Sequence, residues 1–454
     1  MMRVFLCEEE DPRPYLASRG VRYEEEVSTV VARIIADVRK RGDHALLENA
    51  RQFDSPSLTS IYATPQEIDE AMPPVEQSFA IDHAIERVKS FHEHQLAAMV
   101  AGWTEEEFQS SEERRREGQP RHHVPNHRWT WNMAPEGSRL GQRMSPLARV
   151  GAYVPGGNAT YPSSVIMNVV PAQVAGVNHV SVATPARKDG ILAPSVLYAA
   201  RYCGVAKILK VGGAAAIAGM ALGTETLSRV DKVVGPGNRF VNEAKRQLWG
   251  SVGFDGYAGP SEVCVLIDDS SNPRHAAADF LTQIEHASDN AGFLVSTSQQ
   301  AARRVMEEIE LQLTGAPREA TMREAMVAFS AVFVTRDRQE ACELVDLIAP
   351  EHLSLAVENP DAWLGQIRNA GCIMIGDWTP ESAGDYAAGP SHTLPTATAA
   401  RFGSPVSVMD FLKVQSLVQM SEVEFGAIAE TIEIFGAMEG FPAHAQGASI
   451  RRRN

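Results

Sequence analysis

Apolar residues recur at helical spacing early in the chain: Val30, Val31, Ile34, Ile35 and Val38, with Leu46 and Leu47 continuing the pattern. That period predicts a mostly helical stretch over 27–101. Within it Pro65 opens a short helix, with Thr64 as N-cap and Glu67 completing a capping box. Pro73 and Pro74 end that helix, and 75–94 reads as another. From 149 the period changes. Short β-rich runs at 150–154, 179–183, 207–211 and 232–234 alternate with helical runs at 163–175, 192–203, 214–221 and 241–248. Four strand–helix units predict a parallel sheet with right-handed crossovers. A second α/β region is expected over 255–377, from strands at 263–267, 331–335 and 372–375 and helices at 275–287 and 339–348. The chain ends in helical patterns at 408–414 and 422–438.

Composition narrows the class. At 454 residues the chain exceeds one ordinary core, so more than one domain is expected. Its 44% hydrophobic and 22% charged content are those of a soluble globular protein. A net charge of −15 and a pI near 5.4 argue against nucleic acid or an anionic membrane as partner. The five cysteines (Cys7, Cys203, Cys264, Cys342, Cys372) are widely spaced and form no CxxC pair, the pattern of free thiols in a reducing cytoplasm. No run approaches the roughly 18 apolar residues of a spanning helix. The apolar stretch at the N-terminus is too short for a signal peptide. A cytoplasmic location is the expectation.

Candidate chemistry sits in the turns. Pro155-Gly156-Gly157, Thr184-Pro185, Gly212-Gly213 and Gly235-Pro236-Gly237-Asn238 each follow a strand of the first sheet. They fall at the carboxyl edge, where ligands bind and helix N-termini favour phosphate. Simple tight turns would use the same residues, and no GxGxxG run is present. In the helix over 275–287, Ala277, Phe280, Leu281 and Ile284 make an apolar stripe, with Asp279, Gln283 and His286 on the other side. Gln283 and His286 are neighbours on one face, either a metal-binding pair or an exposed polar face. Glu351 and His352 follow the helix-ending Pro350, as an acid/base pair or as a capping Glu beside a surface His. Residues 380–396, PESAGDYAAGPSHTLPT, gather Asp385, Tyr386 and His392. Gly384, Gly389, Pro390 and Pro395 keep that segment from being one regular element. It is a site loop or a solvated polar loop. The charged interval 104–128 holds His122, His123 and His127 and reads as an exposed helix and loop more readily than as a metal site.

The motifs LGQR (140–143), YVPGG (153–157), YPSSVIMN (161–168), VGPGN (234–238), AGPSEV (258–263), LTQIEH (281–286), APEHL (349–353), SAGDY (382–386), SHTLPT (391–396) and EGFPAH (439–444) occur in this order. In them the sequence resembles the histidinol dehydrogenase family, zinc- and NAD-dependent enzymes of histidine biosynthesis. The resemblance is weak around Ile34 and Ile35 and strong from Gly141 onward. It implies an α/β fold of two Rossmann-like parallel-sheet domains, with N-terminal helices and a small helical C-terminal tail that docks on a partner subunit. The corresponding segments are 1–152 (N-terminal part of the first α/β domain), 153–257 (an inserted NAD-binding domain), 258–405 (the remainder of the first domain, with the metal site) and 406–454 (a dimerisation tail).

The resemblance also implies roles. One Zn²⁺ per subunit would be held by Gln283, His286, Asp385 and His444. Glu351 and His352 would be the acid/base pair. Substrate contacts would fall on Ser261, His352, His392 and Glu439 together with the metal ligands, and NAD contacts on Tyr153 and Asn238. Glu439 and His444 would reach a neighbouring subunit's site in a homodimer. The implied reaction is the four-electron oxidation of L-histidinol through the aldehyde to L-histidine. Ala215 stands where the family usually has an NAD-contacting Gln, and Ser391 where it more often has Asn. Two other readings remain at this stage: a paralogue acting on another alcohol such as a sulfonated diol, and a catalytically dead binding or regulatory paralogue.

Overall fold

The computed structural model describes residues 2–17, 19, 24–99, 138–157, 159–205, 207–256 and 259–452, with the backbone path alone at 127–131. The charged interval at 104–128, with His122 and His123, lies outside the described residues apart from the start of a strand at His127–Trp131. Ala258 of the AGPSEV motif also lies outside them. The chain divides into two compact units. One joins Met1–Leu96 to Ala148–Phe411; the other joins Ala97–Leu147 to Leu412–Asn454.

The first unit is α/β and holds two parallel sheets. One sheet has five strands in the order Lys207–Leu209, His179–Ala183, Arg149–Tyr153, Lys232–Val234, Gly253–Phe254. The first two crossovers run outward on one side and the next on the other, so the order reverses beside Arg149–Tyr153. That reversal opens a crevice at the carboxyl edge. Gly235 follows the strand on the far side of the crevice. Its φ is +115°, and any Cβ there would collide with the Tyr153 carbonyl, so only glycine lets the two turns approach. The helices expected between these strands form as Pro162–Val174, Pro194–Tyr202, Gly213–Leu222 and Arg239–Leu248.

The second sheet has six strands: Arg3–Leu6, Ala331–Val334, Ala291–Ser296, Glu262–Ile267, His352–Ala356 and Cys372–Ile375, all parallel. Every residue of its three central strands Ala291–Ser296, Glu262–Ile267 and His352–Ala356 is buried, because helices cover both faces. Phe280, Ile284, Val305 and Ile309 pack on one face, and Phe5, Phe293, Phe333 and Val345 on the other. The capping box forms as expected: Thr64 Oγ1 accepts from Glu67 N at 3.1 Å, and Thr64 N donates to Glu67 Oε2 at 2.7 Å.

One expectation is corrected where the first unit ends and the second resumes. Residues 408–414, expected as helix, form a 3₁₀ turn over Val408–Phe411 and then the strand Leu412–Gln419. That strand pairs antiparallel with Arg139–Pro146, which in turn pairs with His127–Trp131. Eight consecutive cross-strand partners outweigh the local apolar spacing that suggested a helix. Helices Glu422–Met438 and Pro442–Arg452 complete the second unit.

Candidate active site

Two neighbouring cavities occupy the first unit. The first, about 930 Å³, lies at the carboxyl edge of the five-stranded sheet and is lined by Tyr153, Gly156, Thr184, Gly212, Ala215 and Asn238 among others. Tyr153 is buried and its Oη accepts a hydrogen bond from Gly213 N at 3.0 Å. Asp54 Oδ2 accepts from Gly212 N at 2.9 Å. The N–H groups at the start of helix Gly213–Leu222, expected as a phosphate cradle, are thus met by the protein's own phenol and carboxylate. Burial pushes the Tyr153 phenol up to about 12 and the Asp54 carboxyl up to about 6. Asn238, exposed, caps the next helix, its Oδ1 accepting from Phe240 N at 3.0 Å and Val241 N at 3.2 Å. Ala215 is buried against this cavity and brings no side-chain amide to it.

The second cavity, about 1050 Å³, shares Pro155, Tyr161 and Asn238 with the first. It reaches the amino edge of the six-stranded sheet, because Ser261 and Glu262 start one strand and Glu351 and His352 start its neighbour. Glu351 and His352 are 7% and 3% exposed, which removes the surface reading of that pair. Gln283 is 2% exposed and Asp279 7%, so their helix, which ends at Ile284, has no exposed polar face at these positions. His286 lies just past that end, exposed at the rim of the cavity.

Residues 380–396 resolve into a short helix, Glu381–Tyr386, followed by turns. Asp385 is buried on it, while Tyr386 is exposed. His352 Nε2 lies 3.3 Å from Glu381 Oε1 and 3.4 Å from Asp385 Oδ1, and Nδ1 lies 3.3 Å from the Glu262 carbonyl and 3.7 Å from Glu351 Oε2. Gln283 Nε2 donates to Glu381 Oε1 at 2.7 Å and to Asp385 Oδ2 at 3.0 Å. Burial raises the Glu351 carboxyl to about 8 and also raises that of Glu381. Burial opposes charge on His352, but Glu351, Asp385 and Glu381 outweigh it and lift the imidazole to about 10. Asp385 is held low against its burial by the facing His352. His392, part-buried in the same cavity, is held low by burial.

The structure therefore brings Ser261, Gln283, His286, Glu351, His352, Asp385 and His392 to one cavity, and Tyr153 and Asn238 to the wall of its neighbour. Glu439 and His444 belong to the second unit, at the end of Glu422–Met438 and in Pro442–Arg452, and both are exposed. Glu381 and Asn290 escaped the sequence, and Asp279 was placed only on a polar helix side, with no role. Glu381 sits four residues before Asp385, one helical turn away, a spacing that could have flagged it. Asn290 Oδ1 accepts from Ser261 N at 3.1 Å and its Nδ2 donates to the Gln283 carbonyl at 2.6 Å. Asp279 accepts from Glu381 N at 3.0 Å and Ser354 Oγ at 2.7 Å. Ser391 is buried, donating to the Met167 carbonyl at 3.1 Å and accepting from Thr393 N at 3.2 Å.

The donor set in the second cavity suits a borderline divalent cation: a carboxylate, an imidazole and an amide oxygen. The buried His352 Nε2 faces the Glu381 and Asp385 carboxylates without a hydrogen bond of good geometry to either. The group Asp385, Glu381 and His352 can itself surround an ion.

The sequence model of the histidinol dehydrogenase family matches residues 17–452. A histidinol dehydrogenase of Geobacter metallireducens is 44% identical over 442 residues, covering 96% of this chain and 94% of its own. That of Bacillus subtilis is 40% identical over 431 residues, covering 94% of each. The crystal structure of histidinol dehydrogenase from Elizabethkingia anophelis aligns with a TM-score of 0.88 at 31% identity, over 100% of this chain and 98% of that one. A cavity at the reversal of one parallel sheet, beside a buried imidazole–carboxylate cluster at the edge of another, is the frame of an α/β oxidoreductase. The chain belongs to the histidinol dehydrogenase family, oxidoreductases of histidine biosynthesis. Relatives this similar over their full length give no support to the sulfonated-diol alternative.

Proposed function

We propose that this chain oxidises L-histidinol through the aldehyde to L-histidine, with zinc and two NAD⁺ per turnover. The observation that carries the reading is the juxtaposition of the His352–Glu351–Asp385–Gln283 cluster with the glycine-walled cavity of Tyr153 and Asn238. The balance is one alcohol, one water and two NAD⁺ giving one carboxylate, two NADH and three protons.

Gln283, His286 and Asp385 would hold zinc, with His444 as the fourth ligand. Held there, zinc would supply a positive centre to bind and orient the substrate. Tyr153 and Asn238 would hold NAD⁺ in the carboxyl-edge cavity, where it would supply the hydride acceptor for both oxidations. The chain's own side chains move the protons. A cation on Asp385 would neutralise one of the carboxylates that lift the imidazole, so His352 Nε2 would be free to take the hydroxyl proton in the first oxidation. Glu351, whose carboxyl burial raises to about 8, would take a proton from the hydrating water in its ionised form, which favours alkaline pH for the second step. Ser261, tied to Asn290, and His392 line the cavity and position the substrate. Keeping the aldehyde in a walled cavity protects a reactive intermediate.

The reading includes a cytoplasmic homodimer with shared sites. Helix Glu422–Met438 exposes Val423, Ile434, Phe435 and Met438, an apolar load that favours burial against a second copy. Exposed Glu439 and His444 then serve the partner's site. The five cysteines are free, three of them buried, as a reducing compartment allows. Zinc-loaded protein given L-histidinol and NAD⁺ should form two NADH for each L-histidine; no NADH would overturn the activity. Mixing inactive Asp385→Ala and His444→Ala chains should restore part of the activity if sites are shared. No restoration after subunit exchange would sink the shared site alone.

A further inference from the structure

We infer that Glu381 is a positioning residue that fixes the side-chain amide of Gln283 with its oxygen, rather than its nitrogen, presented to the cation. The inference rests on the zinc reading of the site. An amide ligates a metal through oxygen only, yet its two ends have nearly the same shape. Something must choose the end. In this structure the choice lies with a carboxylate: Glu381 Oε1 accepts from Gln283 Nε2 at 2.7 Å. Asp385 Oδ2 accepts from the same nitrogen at 3.0 Å, but Asp385 is itself assigned to the cation; Glu381, which clusters with Asp385 and His352, is here assigned to the amide rather than to a ligand's place.

Glu381 is held for this purpose. It is fully buried, at 0% exposure. Its backbone N–H donates to Asp279 Oδ1 at 3.0 Å, and Asp279 Oδ2 accepts from Ser354 Oγ at 2.7 Å. The chain of contacts runs from strand His352–Ala356 through helix Pro273–Ile284 to helix Glu381–Tyr386 and back to Gln283. The same Oε1 lies 3.3 Å from His352 Nε2, so one oxygen fixes the amide and also faces the imidazole beside it. A carboxylate removed from water costs folding free energy, and a polar network that orients a ligand is a reason for the fold to keep it.

The test reads zinc affinity by competition with a chromophoric chelator, alongside zinc content and the melting of the apo-protein. Glu381→Ala should weaken zinc binding about 10–100-fold, the range for loss of a partner that orients a metal ligand. Glu381→Gln keeps an oxygen to accept from Gln283 and should rescue most of that loss. In a Gln283→Ala background, Glu381→Ala should add little, since the amide it orients is gone. Wild-type affinity in Glu381→Ala, an equal loss in Glu381→Gln, or full additivity with Gln283→Ala would each overturn the inference. If Glu381→Ala fails to fold, Glu381→Asp withdraws the acceptor and should lose affinity several-fold; unchanged affinity would overturn it. The zinc reading fails separately, if wild-type protein binds no stoichiometric zinc or Asp385→Ala binds it as tightly.

Discussion

Lys245 Nζ sits 2.6 Å from Asp255 Oδ1, with both side chains almost fully buried. Both also grip one turn: Gly235 N donates to Asp255 Oδ2 at 2.7 Å, and Lys245 Nζ donates to the Gly235 carbonyl at 2.7 Å. The pair therefore holds the turn that lies against Tyr153 and leads to Asn238. Removing one partner leaves an uncompensated buried charge. Lys245→Met should lower stability by about 3–5 kcal/mol. Lys245→Met with Asp255→Asn should cost less than the two single changes added together, measured by urea denaturation. Additive losses would mean that the two side chains act independently.

Tyr153 is the other half of that approach. Its hydroxyl is the acceptor for Gly213 N, at the start of helix Gly213–Leu222. Tyr153→Phe removes the acceptor from a part-buried N–H, at a cost of about 1 kcal/mol. The loosened turn should raise KM for NAD⁺ several-fold with a smaller change in kcat. An unchanged KM would separate the phenol from cofactor binding.

Much of this architecture was legible because strands and helices of the first sheet alternate over short, regular intervals. The strand at 179–183 and the one at 232–234 stand where the pattern put them. Other strands were not legible. Arg3–Leu6 has four residues, too few to set a period, and its partner Ala331–Val334 lies more than three hundred residues away. Residues 408–414 looked helical because the β-partner of the strand beginning at Leu412 lies more than 250 residues away.

The site divides in the same way. Gln283 and His286 announce themselves by spacing, and Glu351 and His352 by adjacency. Whether such pairs face water or a core is not written in spacing, because burial is set by strands that pack from elsewhere in the chain. Asn290 joins Ser261 to Gln283 from a loop with no motif of its own, and only the fold shows the junction. Glu381 could have been found beside Asp385, but a Glu in the first turn of a helix ordinarily reads as a dipole partner facing solvent.

Asp54 gives a pH dependence with a definite sign. Burial lifts its carboxyl from 3.8 to about 6 in the folded protein. Between those values the folded state binds more protons than the unfolded state, so this residue's contribution to stability falls as pH rises from about 4 to 6. Asp54→Asn keeps an oxygen for Gly212 N and removes the charge. The variant should therefore gain on wild type by about 1–2 kcal/mol on going from pH 4 to pH 7, after discounting for partial exposure. Urea midpoints at the two pH values measure this; a parallel offset would mean that Asp54 titrates alike in both states.

Glu351 and His352 are adjacent in sequence but face the cavity from different places. Glu351 Oε2 is fixed by Glu262 N at 2.9 Å, whereas His352 Nε2 points toward Glu381 and Asp385. The two should therefore fail differently. His352→Ala removes the group assigned to the alcohol proton and should slow the first NADH by about 10²–10⁴-fold. Glu351→Gln keeps the side-chain shape and leaves that proton's acceptor in place. It should permit a burst near one NADH per site and then stall, because hydration of the aldehyde has lost its base. Rapid mixing of enzyme, L-histidinol and excess NAD⁺ reads both outcomes from the amplitude and rate of the burst. A Glu351→Gln enzyme that yields two NADH without delay would free Glu351 from the second step. A His352→Ala enzyme with a normal first burst would move the base elsewhere in the cavity, and His392 would be the next imidazole to test.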